Sequence, residues 1–211
     1  MGQKINPISF RLQNQNLWSS RWFSKKDYGT FVIEDYQIRE LIEKKYSPNA
    51  GIASINIERF NKESVIIINT SRPGILIGRS GAGVAELKDK LAKKFNRIFK
   101  IEIKEVKRPE LVAKLVAENI STQLIKRINF RRAAKQAVEK TMQAGAVGVK
   151  IAISGRLNGA EMARTEKFSD GNVSLSTIKT NIDYALVHSH TTVGMVGVKV
   201  WINKGEQNAD S

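Results

Sequence analysis

The alternation of apolar and polar residues divides the chain into two consecutive sets of helices and strands. In the first set, apolar residues recur every three or four positions where helices are expected, and every second position where strands are expected. The predicted helices cover residues 33–46, residues 73–77 and a long segment that ends at Phe95, and the predicted strands cover 53–57, 65–69 and 99–104.

A second set follows Lys107-Arg108-Pro109, which interrupts the pattern and predicts a domain boundary. Helical spacing runs from Leu111 to Ile128, and Asn129 is placed to cap a second helix whose inner face is Ala134, Val138 and Met142. Strands are predicted over 147–154, 178–184 and 196–202, with a hairpin turn at 169–172. We expect two helices on an antiparallel or mixed sheet of about four strands.

The segment Gly78-Arg79-Ser80-Gly81 lies between the short helix and the long helix of the first set. The Walker-type phosphate loop is excluded because no Gly-Lys-Ser or Gly-Lys-Thr follows, and the glycine spacing does not match the dinucleotide fingerprint. A Gly-x-x-Gly loop between helical segments is the backbone clamp of a KH domain, and the order of the surrounding elements is that of a KH domain with its extra helix in front. We therefore predict RNA binding at these four residues.

The predicted fold class is α+β, with two domains. An extended arm is expected over residues 1–16, because Pro7 discourages helix, and a flexible tail over 206–211. A KH RNA-binding domain is expected over 17–106, and a C-terminal α+β domain over 107–205.

Charge narrows the function to binding a polyanion. The 211 residues include 35 Lys and Arg against 20 Asp and Glu, a net charge of +15. Nucleic acid is the first candidate, because phosphate neutralisation releases counterions; an anionic membrane surface is the rival. No apolar run approaches the roughly 20 residues needed to span a bilayer. Cysteine is absent, which excludes disulfides and thiolate metal sites.

Three bases on the second helix of the C-terminal domain form the strongest candidate contact. Arg131 and Lys135 share a face of that helix and Arg132 lies beside Lys135, while the chain offers no carboxylate before Glu139. A solvated face is the ordinary interpretation of a charge run. Because these bases have no acidic neighbour in an already basic chain, we favour contact with RNA.

Catalysis is not expected, and neither a cofactor nor a small-molecule substrate is predicted. The chain has two histidines, His188 and His190, which would share one face of a strand. No third ligand lies nearby in sequence, so we predict structural or RNA-facing histidines rather than a metal site.

Aromatic and basic residues are interspersed over the segment from Trp18 to Lys26. This mixture suits base stacking and phosphate contact. Equally, Trp18, Trp22 and Phe23 can attach the N-terminal arm to the domain. Both interpretations remain open at this stage.

Several motifs together resemble the family of protein three of the small ribosomal subunit, in its bacterial or organellar form. The resemblance covers roughly residues 1–205. It is carried by Met1-Gly2-Gln3-Lys4, Arg72-Pro73-Gly74, Ile77-Gly78-x-x-Gly81, Phe130-Arg131-Arg132-Ala133, Ser154-Gly155-Arg156-Leu157-x-Gly159-Ala160-Glu161, Ala163-Arg164-Thr165-Glu166 and Gly197-Val198-Lys199-Val200-Trp201-Ile202.

The resemblance implies a place in the head of the small subunit, beside the channel through which mRNA enters. Arg131, Arg132 and Lys135 match bases that face incoming mRNA and assist its unwinding. The partners implied are small-subunit rRNA, mRNA and neighbouring ribosomal proteins, with no membrane. The residues expected to contact rRNA are Gly2, Gln3, Lys4, Arg11, Arg21, Arg127, Arg156, Arg164 and Lys167.

The expected location is the ribosome, in the cytoplasm of a bacterium or the matrix of an organelle. The alternative is a free-standing KH regulator that binds single-stranded RNA off the ribosome. A nucleotide-using enzyme is a weaker third possibility, because the Walker lysine is missing.

Overall fold

The computed structural model describes residues 4–12, 18–47, 49–60 and 63–206. The chain forms two compact units. Residues 18–107 form the first, and residues 108–206 together with 4–12 form the second. The N-terminal segment therefore belongs to the same unit as the C-terminal part of the chain.

The first helix, α1 (Pro7–Phe10), corrects the expectation of an extended arm over residues 1–16. Proline occupies the first helical turn, where its missing N–H costs no hydrogen bond. The Asn6 side chain accepts a hydrogen bond from the Ile8 amide at 2.9 Å and so caps the turn. Pro7 thus starts a helix here rather than preventing one.

The first unit is a four-stranded sheet with three helices. Strand β1 lies parallel to β2, β2 antiparallel to β3, and β3 parallel to β4, in the spatial order β1-β2-β3-β4. The elements are β1 (Ser20–Arg21), α2 (Tyr28–Tyr46), β2 (Ile52–Arg59), β3 (Glu63–Thr70), α3 (Pro73–Ile77), a 3₁₀ turn (Arg79–Gly81), α4 (Ala82–Phe95) and β4 (Ile98–Glu105).

The core of this unit confirms the periodicities of the sequence. Ile38 and Ile42 from α2 and Leu87 and Leu91 from α4 are buried in one cluster with the inward-facing residues of the strands. Burial of such aliphatic side chains contributes roughly 1.5–3 kcal/mol each. The core therefore holds α4, and with it the loop that precedes α4, against the sheet.

Helix α2 begins five residues earlier than residue 33, where the apolar pattern starts. Its first turns contact the strands through polar groups: Arg59 donates to Glu34 Oε2 at 2.6 Å and to Asp35 Oδ1 at 3.0 Å. The Asp35 carboxylate also accepts from Trp22 Nε1 at 2.7 Å. The missed residues 28–32 include Tyr28 and Phe31, whose rings pack on Trp22 with centroids 5.4 Å away and do not join the core. The apolar spacing of the core residues therefore did not reveal this end of the helix.

The second unit is an antiparallel sheet with two long helices on one face. The spatial order of its strands is β6-β5-β8-β7. After a 3₁₀ turn (Pro109–Leu111), its elements are α5 (Ala113–Ile125), α6 (Phe130–Gln143), β5 (Gly148–Gly155), a second 3₁₀ turn (Leu157–Gly159), β6 (Arg164–Gly171), β7 (Thr180–Thr191) and β8 (Gly194–Glu206).

The core of the second unit lies between these two helices and the sheet. Ile120 of α5 and Ala134 of α6 pack on the inward-facing residues of the two central strands. The inward-facing strand residues of this core are Val149, Ile151, Ile153, Val196, Val198, Val200 and Ile202. The domain predicted from the sequence, two helices on an antiparallel or mixed sheet of about four strands, is confirmed, and its four strands are antiparallel.

The hairpin predicted at residues 169–172 is wrong. Ser169, Asp170 and Gly171 lie inside β6 and pair with β5, and the chain then crosses to β7 at the other edge of the sheet. Hairpins of the second sheet instead join β5 to β6 and β7 to β8. The strand was missed because an edge strand with few buried residues has no apolar alternation.

Candidate nucleic-acid interface

The Gly-x-x-Gly loop forms a tight 3₁₀ turn that runs directly into α4. Gly78 and Gly81 have φ angles of 69° and 81°, which favour glycine over any residue with a side chain. Arg79 is exposed, and the N-cap of α4, Gly81, offers no side chain to the first amides of the helix. The Ala82 amide donates to the Arg79 carbonyl within the turn, while the positive end of the α4 dipole lies at this loop and favours an anion such as a phosphate.

Gly83 allows the close approach of α3 to α4 that sets this loop. A Cβ at residue 83 would lie 2.5 Å from the carbonyl oxygen of Leu76. We therefore expect Gly83→Ala to displace α3 and destabilise the first unit by about 1–3 kcal/mol, the usual cost of overpacking. Thermal unfolding monitored by circular dichroism measures this shift.

Gly74→Ala is the matched control for that substitution. It lies on α3, and nothing is found within 4 Å of a Cβ placed there. We expect Gly74→Ala to unfold at or slightly above the temperature of the parent protein, because alanine favours helix. Equal unfolding temperatures for the two variants would contradict the packing assigned to Gly83.

The basic residues of α6 are held on the side of the helix that faces away from the core. Asn129 caps the helix by accepting from the Arg131 amide at 3.0 Å, which confirms the predicted cap. Arg131, Arg132 and Lys135 are exposed, while Ala134 and Val138 face the sheet. We call these three bases the α6 cluster.

The position of the α6 cluster in the helix does not serve helix stability. Arg131 and Arg132 occupy the first turn, which contains no acidic residue, although the helix dipole favours negative charge there. Two cations at this end instead add to the positive potential of the dipole. The arrangement therefore favours an anionic partner.

The structure corrects one expectation about the cluster. Arg131 has no acidic neighbour along the chain, yet its Nε and Nη2 each lie 3.1 Å from the Glu166 carboxylate. Glu166 belongs to β6, the strand that the sequence pattern missed, and it also accepts from Arg164 Nε at 3.1 Å. The hydrogen bond from Arg131 lowers the pKa of Glu166, because it stabilises the ionised carboxylate.

Arg127 and Arg156 line one open cavity of about 600 Å³ beside the start of α6. Arg156 donates through Nε to the Ala160 carbonyl at 2.9 Å and through Nη1 to the Val193 carbonyl at 3.2 Å. It thereby joins the two hairpin loops of the sheet. The cavity is lined by Leu124, Arg127, Ile128, Asn129, Phe130, Arg156, Leu157, Asn158, Gly159, Thr191, Thr192, Val193 and Val196.

Arg11 is not available to RNA, which corrects its assignment as an rRNA contact. The residue is fully buried, and its guanidinium donates to carbonyl oxygens of Thr180 and Thr177 at 2.7 Å and of Leu175 at 3.1 Å. Burial lowers its pKa. Arg11 therefore ties α1 to the segment before β7.

The other predicted rRNA contacts are dispersed over both units. Arg21 lies 3.4 Å from Glu58 in an exposed ion pair, and Lys4 is exposed. Lys167 is exposed in the middle of β6. Gly2 and Gln3 lie outside the described residues.

In the aromatic tract at residues 18–26, one ring packs on the domain and two rings are exposed. Trp22 packs on Phe31 and on Tyr28, with ring centroids 5.4 Å apart in each pair. Trp18 and Phe23 are 60% and 82% exposed. Trp22 therefore attaches the tract to α2, while Trp18 and Phe23 are free to stack on a base.

His188 and His190 are exposed on one face of β7. Among the described residues, no group of three or more histidine and carboxylate side chains is arranged to hold a metal ion. Within the same described ranges, no helix is both long enough and apolar enough to cross a bilayer.

A KH-type unit, followed by a basic α+β unit with exposed arginines, defines a class of RNA-binding proteins. Family models place the chain more narrowly. The model described as "KH domain" matches residues 37–111, and the model described as "Ribosomal protein S3, C-terminal domain" matches residues 120–202.

Relatives of established identity agree with these models. "Small ribosomal subunit protein uS3" of Lawsonia intracellularis (strain PHE/MN1-00) is 52% identical over 206 residues, which cover 98% of this chain and 96% of the relative. The protein of the same name from Finegoldia magna is 51% identical over 207 residues, which cover 98% of this chain and 84% of that relative. The protein of the same name from Ruegeria pomeroyi is 47% identical over 207 residues, which cover 98% of this chain and 88% of that relative. The chain belongs to the uS3 family of small ribosomal subunit proteins, which confirms the resemblance stated above.

Proposed function

We propose that this protein is a structural constituent of the small ribosomal subunit that binds rRNA in the subunit head. The relatives named above are bacterial proteins of the small subunit, and the net charge of +15 suits a permanent place among RNA phosphates. Neighbouring ribosomal proteins are its other partners. In this role the protein binds rRNA and catalyses no reaction. Its location is the cytoplasmic ribosome of a bacterium.

The α6 cluster is proposed to line the channel by which mRNA enters the subunit. The observation that carries this proposal is the position of Arg131 and Arg132 in the first turn of α6, exposed and against the preference of the helix dipole. Lys135 extends the same exposed surface by one turn. Fixed cations on a rigid helix bind the phosphates of single-stranded mRNA. When a hairpin in the mRNA opens, this binding keeps its two strands from pairing again.

Glu166 restrains this surface, and its removal tests the proposal. We expect Glu166→Gln to free the guanidiniums of Arg131 and Arg164, so that the protein binds a single-stranded RNA oligonucleotide more tightly. Each additional ion pair with a phosphate raises affinity about fourfold at 0.15 M salt, because about 0.7 counterion is released. Filter binding over a salt series measures both the affinity and the slope.

Glu139→Gln is the matched control, because it removes the same negative charge from an exposed glutamate of α6, the helix that carries the cluster. We expect it to change affinity less than Glu166→Gln does. The pKa of Glu166 is lowered by Arg131, so the restraint is fully present above the ordinary carboxyl pKa and is lost as pH falls through the lowered value. The two variants and the parent protein should therefore converge in affinity at acid pH. Equal affinities of the two variants at neutral pH would contradict the restraint.

A further inference from the structure

One face of the sheet in the second unit carries no helix. Residues alternate along its strands, so that those between the core residues point to the other side of the sheet from α5 and α6. We call this side the open sheet face. Its principal residues are Lys150, Lys167, Tyr184, His188, Lys199 and Trp201.

The charged residues on the open sheet face over residues 148–154, 165–169, 184–190 and 197–201 are lysines: Lys150, Lys167 and Lys199. The strand register places Lys167 and Lys199 on either side of Ala152. On β7, the exposed Leu186 pairs with Lys199, and His188 is the next outward-facing residue. None of the outward-facing positions over these strand segments is a carboxylate. Such a surface attracts a polyanion.

Two aromatic rings lie among these bases. Tyr184 and Trp201 are directly opposite each other on β7 and β8, with ring centroids 5.3 Å apart and an angle of 36° between their planes. Lys150 Nζ lies 5.8 Å from the centre of the Trp201 ring. Both residues are partly buried, and bases can stack on the part of each ring that stays exposed while the lysines contact the flanking phosphates.

We propose that the open sheet face binds an unpaired segment of small-subunit rRNA, by base stacking on Tyr184 and Trp201 and by phosphate contact with Lys150, Lys167 and Lys199. The centres of protein–protein interfaces are depleted in lysine, whereas lysine lies across the middle of this face. The proposal builds on the proposed ribosomal role and adds a second RNA-binding surface. The α6 cluster lies on the helix side of this sheet, so the RNA on the open face is assigned to rRNA and not to mRNA.

The first test compares two double variants of the full chain for binding to a 12-nucleotide oligouridine. Lys167→Ala with Lys199→Ala is expected to lower affinity about tenfold at 0.15 M salt and to reduce the salt slope by about 1.4, the value for two phosphates of a single strand. Lys93→Ala with Lys94→Ala removes the same charge from the last turn of α4, far from the Gly-x-x-Gly loop. If both pairs lose equal affinity, the effect is general charge and the proposal is wrong.

The second test identifies the partner inside assembled subunits. Ultraviolet cross-linking of purified small subunits, followed by peptide mapping, is expected to join rRNA nucleotides to the peptides that contain Tyr184 and Trp201. Cross-links from these peptides to 4-thiouridine in added mRNA, or chemical cross-links from Lys167 and Lys199 to a ribosomal protein without any nucleotide, would overturn the proposal. Replacing the α6 cluster by alanine is expected to leave these cross-links unchanged. The experiment therefore distinguishes a wrong mRNA role for the α6 cluster from a wrong rRNA role for the open sheet face.

Discussion

Ribosomes in which Arg131, Arg132 and Lys135 are all replaced by alanine are expected to initiate and advance poorly on mRNA that contains a stable hairpin. If each of the three bases contacts a phosphate, their removal lowers affinity for a single strand by up to about 50-fold at 0.15 M salt. The fold should remain intact, because all three side chains are exposed and alanine favours helix. Toeprinting on messages with and without the hairpin measures the effect.

Two comparisons make this result specific. A triple variant of Lys93, Lys94 and Lys140 removes the same charge from exposed positions outside the cluster and should translate both messages normally. On an unstructured message, the α6-cluster variant should differ little from the parent. Normal translation of the hairpin message by the α6-cluster variant would show that these residues do not act on incoming mRNA.

The largest expected loss of stability comes from Asp35→Ala in the KH unit. The Asp35 carboxylate is 2% exposed and accepts hydrogen bonds from Trp22 Nε1, Ser20 Oγ and Arg59 Nε at 2.7, 2.8 and 3.0 Å. The Arg59 side chain is itself 4% exposed, so removing Asp35 takes away one of its two carboxylate partners and also the acceptor of Trp22 Nε1. Breaking a buried ion pair in this way costs about 3–5 kcal/mol.

Hydrogen exchange measures that loss in the unit where it occurs. We expect amide protection in β2 and β3 to fall by a factor on the order of a hundred or more, while β5 and β8 of the second unit stay protected. Glu58→Ala breaks only the exposed pair with Arg21 and should cost at most about 1 kcal/mol. Similar protection in the Asp35 and Glu58 variants would mean that the buried network does not hold the KH unit together.

Local sequence signals predicted the elements that depend on neighbours in the chain. The cap at Asn129 and the turn between Gly78 and Gly81 are set by residues a few positions apart, so they are readable from the sequence. The inner faces of α4 and α6 follow from apolar spacing for the same reason. These elements place the Gly-x-x-Gly loop and the α6 cluster, which is why the candidate surfaces were recognised.

Contacts between distant parts of the chain were not predictable in this way. Glu166 reaches Arg131 across 35 residues and from an edge strand without apolar alternation. Arg11 finds its carbonyl partners about 165 residues later in the chain, near Leu175 and Thr180. The sequence does not show whether a basic side chain contacts solvent, a carboxylate or backbone oxygens. The burial and the partners of each side chain in the structure therefore decide which basic residues are available to RNA.

Arg11 also shows how the N-terminal segment is attached. Its guanidinium satisfies the carbonyl groups that precede β7, and α1 positions it there. Buried carbonyls need such donors. The segment over residues 4–12 is therefore part of the second unit, and its exposed Lys4 is the proposed rRNA contact that remains there among the described residues.

Sedimentation tests the central claim most directly. A tagged copy of this chain, expressed in its host, is separated from lysate on a sucrose gradient, and the small-subunit fraction is washed with high salt. Stoichiometric co-migration with the small subunit that survives the wash is the predicted result, because a constituent folded onto rRNA is held by many phosphate contacts together. Recovery at the top of the gradient, or loss at modest salt, would contradict the ribosomal assignment and favour a free-standing KH regulator.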